Sequence, residues 1–317
     1  MKTKVFIDGS AGTTGLRIHE RFAQRDDIEL ITIDPDKRKD PAEKEKLINA
    51  ADVVFLCLPD SAAIESVSLI KNEHVCVIDT STAHRTNDAW AYGFPELTKG
   101  QREKIRDSKR IAVPGCYATG FISIAGPMVE HKILPPDYPV SAFALSGYSG
   151  AGKSAIAVYE GDEKPYEFES PREYALSQQH KHIPEMQKMA HLAKAPLFSP
   201  IVDDYYAGMF VSLPFYTDLL NGVNGPEEVQ AMFAEHYANE PFIRVMPIGA
   251  EDTSNGFIGA NAMAGYDGLQ IFVTGNAERI VVTARFDNLG KGASGAAIQC
   301  MNIVVGCSED KGLKLWQ

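Results

Sequence analysis

The amino-acid sequence predicts an α/β protein of two domains, and three observations carry the prediction. Over the first hundred residues short apolar strands alternate with helical stretches. A glycine-rich turn at residues 9–15 lies between the first strand and the first helix. Beyond about residue 116 the rhythm changes to longer strand-like runs joined by Pro- and Gly-bearing connections. At 317 residues the chain also exceeds what one hydrophobic core usually supports.

Lys4–Ile7 reads as the first strand, Leu16–Arg25 as the first helix, and Ile28–Ile33 as a second strand closing at Asp34. Asp52–Leu58 and Val75–Asp79 are continuous apolar runs with a helical pattern over Asp60–Lys71 between them. Such alternation makes βαβ units, whose parallel sheet is covered on both faces. Downstream, Val140–Leu145, Tyr206–Tyr216, Leu269–Thr274 and Arg279–Phe286 read as strands of an α+β domain on a mainly antiparallel sheet. Lys291–Val305, rich in Gly, Ala and Ser, reads as a helix able to pack very closely and is expected to return to the first domain. The expected division is 1–115, completed by 290–317, and 116–289.

Bulk properties exclude several classes. Hydrophobic content of 44% and charged content of 23% are ordinary for a soluble globular protein. A net charge of −11 argues against a nucleic-acid or anionic-membrane partner. No apolar run approaches bilayer-spanning length, and the N-terminus lacks a secretory apolar region. The five cysteines form no Cys-x-x-Cys pair, so a reduced cytoplasmic protein without a structural metal is the simplest account.

Gly9-Ser10-Ala11-Gly12-Thr13-Thr14-Gly15 departs from the commoner Gly-x-Gly-x-x-Gly, yet meets the same needs. One glycine makes the tight turn, one lets pyrophosphate approach, and one allows close helix–sheet contact, with the anion on the helix N-terminus. The first domain is therefore expected to be a Rossmann-like NAD(P)-binding domain. Asp34, nineteen residues after Gly15, suits a ribose 2′-hydroxyl and NAD, whereas Lys37-Arg38-Lys39 suit the 2′-phosphate of NADP. The sequence leaves that choice open.

A short strand-like Arg110–Val113 runs through Pro114-Gly115 into Cys116, after which helical periodicity begins. A thiol at a helix N-terminus meets unpaired N–H groups and the helix dipole, which favour the reactive thiolate. With a nicotinamide site nearby, that suggests hydride transfer on a covalent thioester or thiohemiacetal. Gly147-Tyr148-Ser149-Gly150-Ala151-Gly152-Lys153-Ser154 also fits the phosphate-binding Gly-x4-Gly-Lys-Ser pattern of an ATPase or kinase. The preferred reading is that these glycines and Lys153 cradle a phosphate carried by the substrate. Among the histidines, His180 and His182 form the one close pair and are candidate acid/base groups, with Glu185 downstream. They are expected to face Cys116 across the cleft between the domains.

Together these pieces resemble the N-acetyl-γ-glutamyl-phosphate reductase family, particularly its shorter class. The resemblance rests on the turn at 9–15, Leu-Pro-Asp at 58–60, Asp-Thr-Ser at 79–81, and Gly-Phe-Pro-Glu-Leu at 93–97. It continues through Pro-Gly-Cys-Tyr-Ala-Thr at 114–119, Ser-Gly-Tyr-Ser-Gly-Ala-Gly at 146–152, His-Lys-His-Ile-Pro-Glu at 180–185, and Asp-Asn-Leu-Gly-Lys-Gly-Ala-Ser-Gly-Ala-Ala at 287–297.

The resemblance implies a glyceraldehyde-3-phosphate-dehydrogenase-like substrate and dimerisation domain, and a homo-oligomer, dimer or tetramer. It implies NADPH-dependent reduction of N-acetylglutamyl 5-phosphate to the 5-semialdehyde in arginine biosynthesis. Cys116 would carry the acyl group, His182 would donate to the oxyanion, His180 would act as base or contact the substrate, and Glu185 would orient them. The cofactor set would be Gly9, Ser10, Gly12, Thr13, Thr14, Gly15, Asp34, Lys37, Arg38, Pro59, Ser81, Asn288 and Gly292. Arg85, Ser149, Gly150 and Lys153 would hold the substrate's anionic groups. Related aspartate-semialdehyde and carrier-linked aminoadipate reductases share the chemistry, and a non-catalytic NADP-sensing regulator would share the fold.

Overall fold

In the computed structural model, which describes residues 2–251 and 255–316, the chain divides into two compact units. The first comprises Met1–Gly115 with Ala293–Leu313, and the second Cys116–Gly292 with Lys314–Gln317.

The first unit contains β1 (Thr3–Asp8), α1 (Thr13–Phe22), β2 (Ile28–Ile31), α2 (Pro41–Ala50), β3 (Val53–Leu56), α3 (Asp60–Ser68), β4 (Cys76–Asp79), β5 (Ala91–Tyr92), α4 (Gln101–Asp107) and β6 (Arg110–Ala112). Its sheet runs β2-β1-β3-β4-β6-β5 with every pairing parallel. Strand alternation sends Val5 and Ile7 to one face, where they pack with Ile18 and Phe22, and Phe6 to the other, with Ile48 and Ala63. Both faces are buried, which is why the strands read as continuous apolar runs rather than alternating ones. The first helix starts three residues earlier than the periodicity suggested, because Gly12 is its N-cap and the two threonines form its first turn.

The second unit opens with α5 (Cys116–Glu130) and continues through β7 (Ser141–Gly147), α6 (Lys153–Tyr159), β8 (Arg172–Glu173), α7 (Ile183–Met189), β9 (Leu197–Asp203), β10 (Met209–Tyr216), α8 (Pro226–His236), β11 (Ile243–Val245), β12 (Leu269–Gly275) and β13 (Arg279–Phe286). Its seven-stranded sheet, β11-β12-β13-β10-β7-β9-β8, is mixed, with β11–β12 and β7–β9 parallel and the other pairings antiparallel. Helix α5 lies on β10 and β13. Gly120 permits that approach, since a Cβ there would come within 2.7 Å of Val211 and 2.8 Å of Phe286. On β7, Phe143 is 41% exposed and meets Phe210 edge to face.

The C-terminal helical segment begins as a π turn at Gly290–Ser294 and becomes α9 at Gly295–Val305. Ala297, Cys300 and Met301 of α9 join the core of the first unit. Gly93 allows this closeness: a Cβ there would lie 3.1 Å from the Cys300 thiol.

Candidate active site

In the first unit, Gly9 has φ +88°, and a Cβ there would fall 2.2 Å from the Cys57 carbonyl oxygen. A Cβ at Gly15 would fall 2.4 Å from the Gly9 carbonyl oxygen, so α1 can start this close to β1 only without a side chain. Gly12 offers no capping side chain, and no acidic residue occupies the first turn. The N–H groups of that turn therefore meet no capping side chain of the protein, the setting in which a helix N-terminus takes an anion.

Beside this turn lies a cleft of about 310 Å³ lined by Ser10, His19, Leu30, Thr32, Pro35 and Arg38. Asp34 turns its carboxylate back onto the backbone N–H of Asp36 at 3.0 Å, capping a short 3-10 turn. Lys37 lies 3.9 Å from Glu43. Arg38 reaches the cleft and forms no ion pair with a described residue. These residues fit a dinucleotide: donors at the helix start, an apolar wall, and a free cation at the far end.

Pro59 is the N-cap of α3. Ser81 is held by Asp79, which accepts from the Ser81 N–H at 2.9 Å and from its hydroxyl at 2.7 Å. The same buried carboxylate lies 2.6 Å from Nδ1 of His84, whose ring stacks on Trp90 at 4.0 Å. Sequence reasoning missed His84. The close spacing of Asp79, Ser81 and His84 was the available signal, but only folding shows that one carboxylate serves all three. Arg85 is also buried, donating through Nε to the Val113 carbonyl at 2.9 Å and through Nη2 to the Thr80 carbonyl at 2.8 Å. Its fork thus ties the loop after β4 to the end of β6, whereas the sequence placed it on the substrate.

In the second unit, Cys116 is the first residue of α5 and is partly exposed. The next residue, Tyr117, is buried, with its ring 5.9 Å from His180, 5.8 Å from His182 and 5.3 Å from Phe198. The Tyr117 hydroxyl hydrogen-bonds Tyr174, and burial holds it well above the usual phenol range. Cys116 and the histidines therefore belong to one unit, not to opposite sides of an interdomain cleft as expected. The ring linking them is contributed by the cysteine's own neighbour.

The His180 and His182 rings are 4.7 Å apart. Nδ1 of His180 accepts the His182 backbone N–H at 3.2 Å, which leaves the neutral ring's proton on Nε2. Burial, helped by Lys181, lowers the His180 pKa to about 4. His182 is buried at the start of α7, and Glu185 is buried in its first turn.

Gly147–Ser154 forms the end of a strand, a 3-10 turn and a short helix, and its first three backbone donors are engaged. The Gly147, Tyr148 and Ser149 N–H groups donate to the carbonyls of Gly208, Tyr205 and Tyr206 at 3.0, 2.9 and 2.8 Å. Those three N–H groups are therefore not free to cradle a phosphate. Ser149 is fully buried, its hydroxyl accepting from Asn288 Nδ2 at 2.9 Å. Asn288 also accepts the Gly208 N–H at 3.0 Å. Ser149 and Asn288 are thus internal struts, whereas the sequence reading assigned them to substrate and cofactor. A Cβ on Gly150 would approach Asn288 Nδ2 to 3.1 Å. Lys153 is exposed at the start of α6. Gly292, expected to meet the cofactor, abuts Cys116: a Cβ there would lie 2.9 Å from that of the cysteine.

Residues 4–108 match the family described as semialdehyde dehydrogenase, NAD binding domain, and residues 116–288 match semialdehyde dehydrogenase, dimerisation domain. The chain is a semialdehyde dehydrogenase in fold and domain pair. It is 45% identical over 98% of its length, and 99% of the relative's, to N-acetyl-gamma-glutamyl-phosphate reductase 2 of Nostoc sp.. It is 44% identical to the N-acetyl-gamma-glutamyl-phosphate reductase of Brucella suis, over 96% of this chain and all of that one. The chain belongs to the N-acetyl-γ-glutamyl-phosphate reductase family.

The fold is also that of aspartate semialdehyde dehydrogenase II from Vibrio cholerae, with TM-score 0.72 at 16% identity over 96% of this chain and 99% of that one. The aspartate semialdehyde dehydrogenase from Francisella tularensis matches equally, with TM-score 0.72 at 14% identity over 96% and 100%.

Proposed function

We propose that this chain reduces N-acetyl-γ-glutamyl phosphate to N-acetylglutamate 5-semialdehyde with NADPH, the reductive step of arginine biosynthesis. The observation that carries this reading is Cys116 opening α5 with Tyr117 packed on the His180–His182 pair. The helix N-terminus favours the Cys116 thiolate, which attacks the acyl carbonyl carbon. The carbon–oxygen bond to phosphate breaks, inorganic phosphate leaves, and a thioester on Cys116 remains. NADPH held at the first turn of α1 would supply the hydride that brings this thioester to the aldehyde level. Cleavage of the carbon–sulfur bond then frees the semialdehyde and returns the thiolate.

His180, neutral with its proton on Nε2, is the hydrogen-bond donor to the carbonyl oxygen as negative charge develops there. His182 takes the thiol proton, and Glu185 holds it. This reverses the division that the sequence suggested between the two histidines. The first-turn N–H groups of α1 would take the pyrophosphate, and Arg38 the 2′-phosphate, which favours NADP over NAD. Pro59 and Ser81 would line the nicotinamide end, and Gly150 and Lys153 would lie along the substrate. The exposed sheet face around Phe143 and Phe210 would pair with a second copy to make a homo-oligomer.

The reaction is tested in the oxidative direction, with N-acetylglutamate 5-semialdehyde, NADP and phosphate. Phosphate-dependent formation of NADPH that disappears in Cys116→Ala supports the assignment. NADP binding without phosphate-dependent turnover would return the chain to the non-catalytic sensor class.

A further inference from the structure

Arg172 opens β8, two residues before Tyr174. Its Nη2 donates to the Tyr159 hydroxyl at 2.7 Å, and its guanidinium lies 3.4 Å from the Phe168 ring centroid. That stacking fixes the plane of the fork. Nε is enclosed without a hydrogen-bond partner, and no described carboxylate pairs with the side chain. A half-buried cation with an unfilled fork is costly unless an anion arrives to fill it.

Two contacts say where that anion would come from. Arg172 pairs with Val202, and Tyr174 donates its backbone N–H to Pro200, so strand alternation puts both side chains on one face, about 7 Å apart. Tyr174 meets Tyr117, the neighbour of Cys116, and His180, with ring centroids 6.5 and 5.7 Å apart. From the other side, Tyr159 stacks at 4.4 Å on Tyr148, which sits in the turn with Ser149. Arg172 therefore stands one strand repeat farther from Cys116 than Tyr174 does.

We propose that Arg172 receives the α-carboxylate of the acyl phosphate substrate and makes the enzyme selective for a carboxylated acyl chain. This rests on the reaction proposed above. The substrate's phosphate is bonded through one oxygen to the carbon that Cys116 attacks, so it departs beside the thiolate. The α-carboxylate lies four carbon–carbon bonds away, about 5 Å in an extended chain. The remote cation fits the remote anion. Competing cations are spent or exposed: Arg285 holds Gln270, Lys164 holds Asp204, and Lys153 lies on the surface.

The test measures Arg172→Gln and Arg172→Lys in the oxidative direction with two aldehydes: N-acetylglutamate 5-semialdehyde, and 4-acetamidobutanal, which lacks only the carboxylate. Arg172→Gln is expected to lose about 30-fold or more in kcat/KM with the carboxylated aldehyde, chiefly through KM. It should change by less than about threefold with 4-acetamidobutanal, and Arg172→Lys should recover part of the loss. Equal losses on both aldehydes would make Arg172 structural, and no loss on either would overturn the proposal. A rise confined to the KM for phosphate would move the arginine to the leaving group and also overturn it. Absence of wild-type turnover with the carboxylated aldehyde would sink the parent reaction. Wild-type turnover with an unimpaired Arg172→Gln would sink this inference alone.

Discussion

Gly292 abuts Cys116 so closely that a methyl group added to the glycine would sit 2.9 Å from the cysteine Cβ. The glycine is part of the π turn that precedes α9, and it packs equally against Phe286, at 3.2 Å for the same added atom. An alanine there has to move either the turn or the first residue of α5. Gly292→Ala is therefore expected to lower turnover by about tenfold or more, since a displacement near 1 Å at a reacting centre is that costly. NADPH affinity, measured by calorimetry, should remain within about threefold. A large loss of affinity with intact chemistry would instead assign Gly292 to the cofactor.

Selective alkylation tests the nucleophile. Burial pushes the thiols of Cys57 and Cys76 up to about 12 and about 11, so both are protonated at neutral pH. Cys300 is buried with its thiol 3.4 Å from the Gly93 carbonyl oxygen. Iodoacetamide at pH near 7 should label the peptide containing Cys116 first. Enzyme quenched with acyl phosphate in the absence of NADPH should carry an acyl adduct on that peptide by mass spectrometry. Full activity in Cys116→Ala would refute the covalent mechanism.

The two histidines should separate by their signatures. Replacing His180 with Asn is expected to lower kcat by roughly 10²–10³-fold, the usual cost of one oxyanion donor. Replacing His182 with Asn leaves the backbone donor to His180 in place, because that contact comes from the main chain. Its effect should appear as slower alkylation of Cys116 at neutral pH. If both variants keep kcat within a factor of two, the pair is structural.

The same group sets a stability dependence. His180 falls from an ordinary 6.5 to about 4 on folding, with burial as the main cause. Above the unfolded value both states are neutral and the contribution is complete. As pH drops toward the folded value the unfolded chain binds the proton first, so stability declines across that window. Urea midpoints at pH 7 and pH 5 should differ less in His180→Asn than in the wild type. An equal decline in both would place the effect on other groups.

Arg38 decides between the two nicotinamide cofactors. Arg38→Ala is expected to weaken NADPH binding by about 10- to 100-fold and to leave NADH binding nearly unchanged, because only the phosphorylated ribose needs the guanidinium. Calorimetry with both cofactors reads this directly. Equal losses for both would give the 2′-phosphate to another group.

What the sequence by itself determined is local. The turn at Gly9–Gly15, the helix start at Cys116 and the paired His180 and His182 are written in neighbouring residues. Their geometry follows from steric freedom at glycine, from helix ends and from chain spacing. The alternation of strands and helices in the first unit was equally legible, since its sheet buries both faces and its strands are apolar throughout. Only the tertiary structure decided how side chains are spent. Arg85 holds two carbonyls, and Ser149 and Asn288 hold each other across 139 residues. The N–H groups of Gly147 to Ser149 are consumed by residues 205–208, and the His180 and His182 rings pack on Tyr117, more than sixty residues earlier in the chain. Arg172, whose buried Nε meets no hydrogen-bond partner, carries no motif at all. A hydrogen-bonding group can satisfy itself with whatever folding brings within reach, and partners that distant in the chain leave no spacing to read.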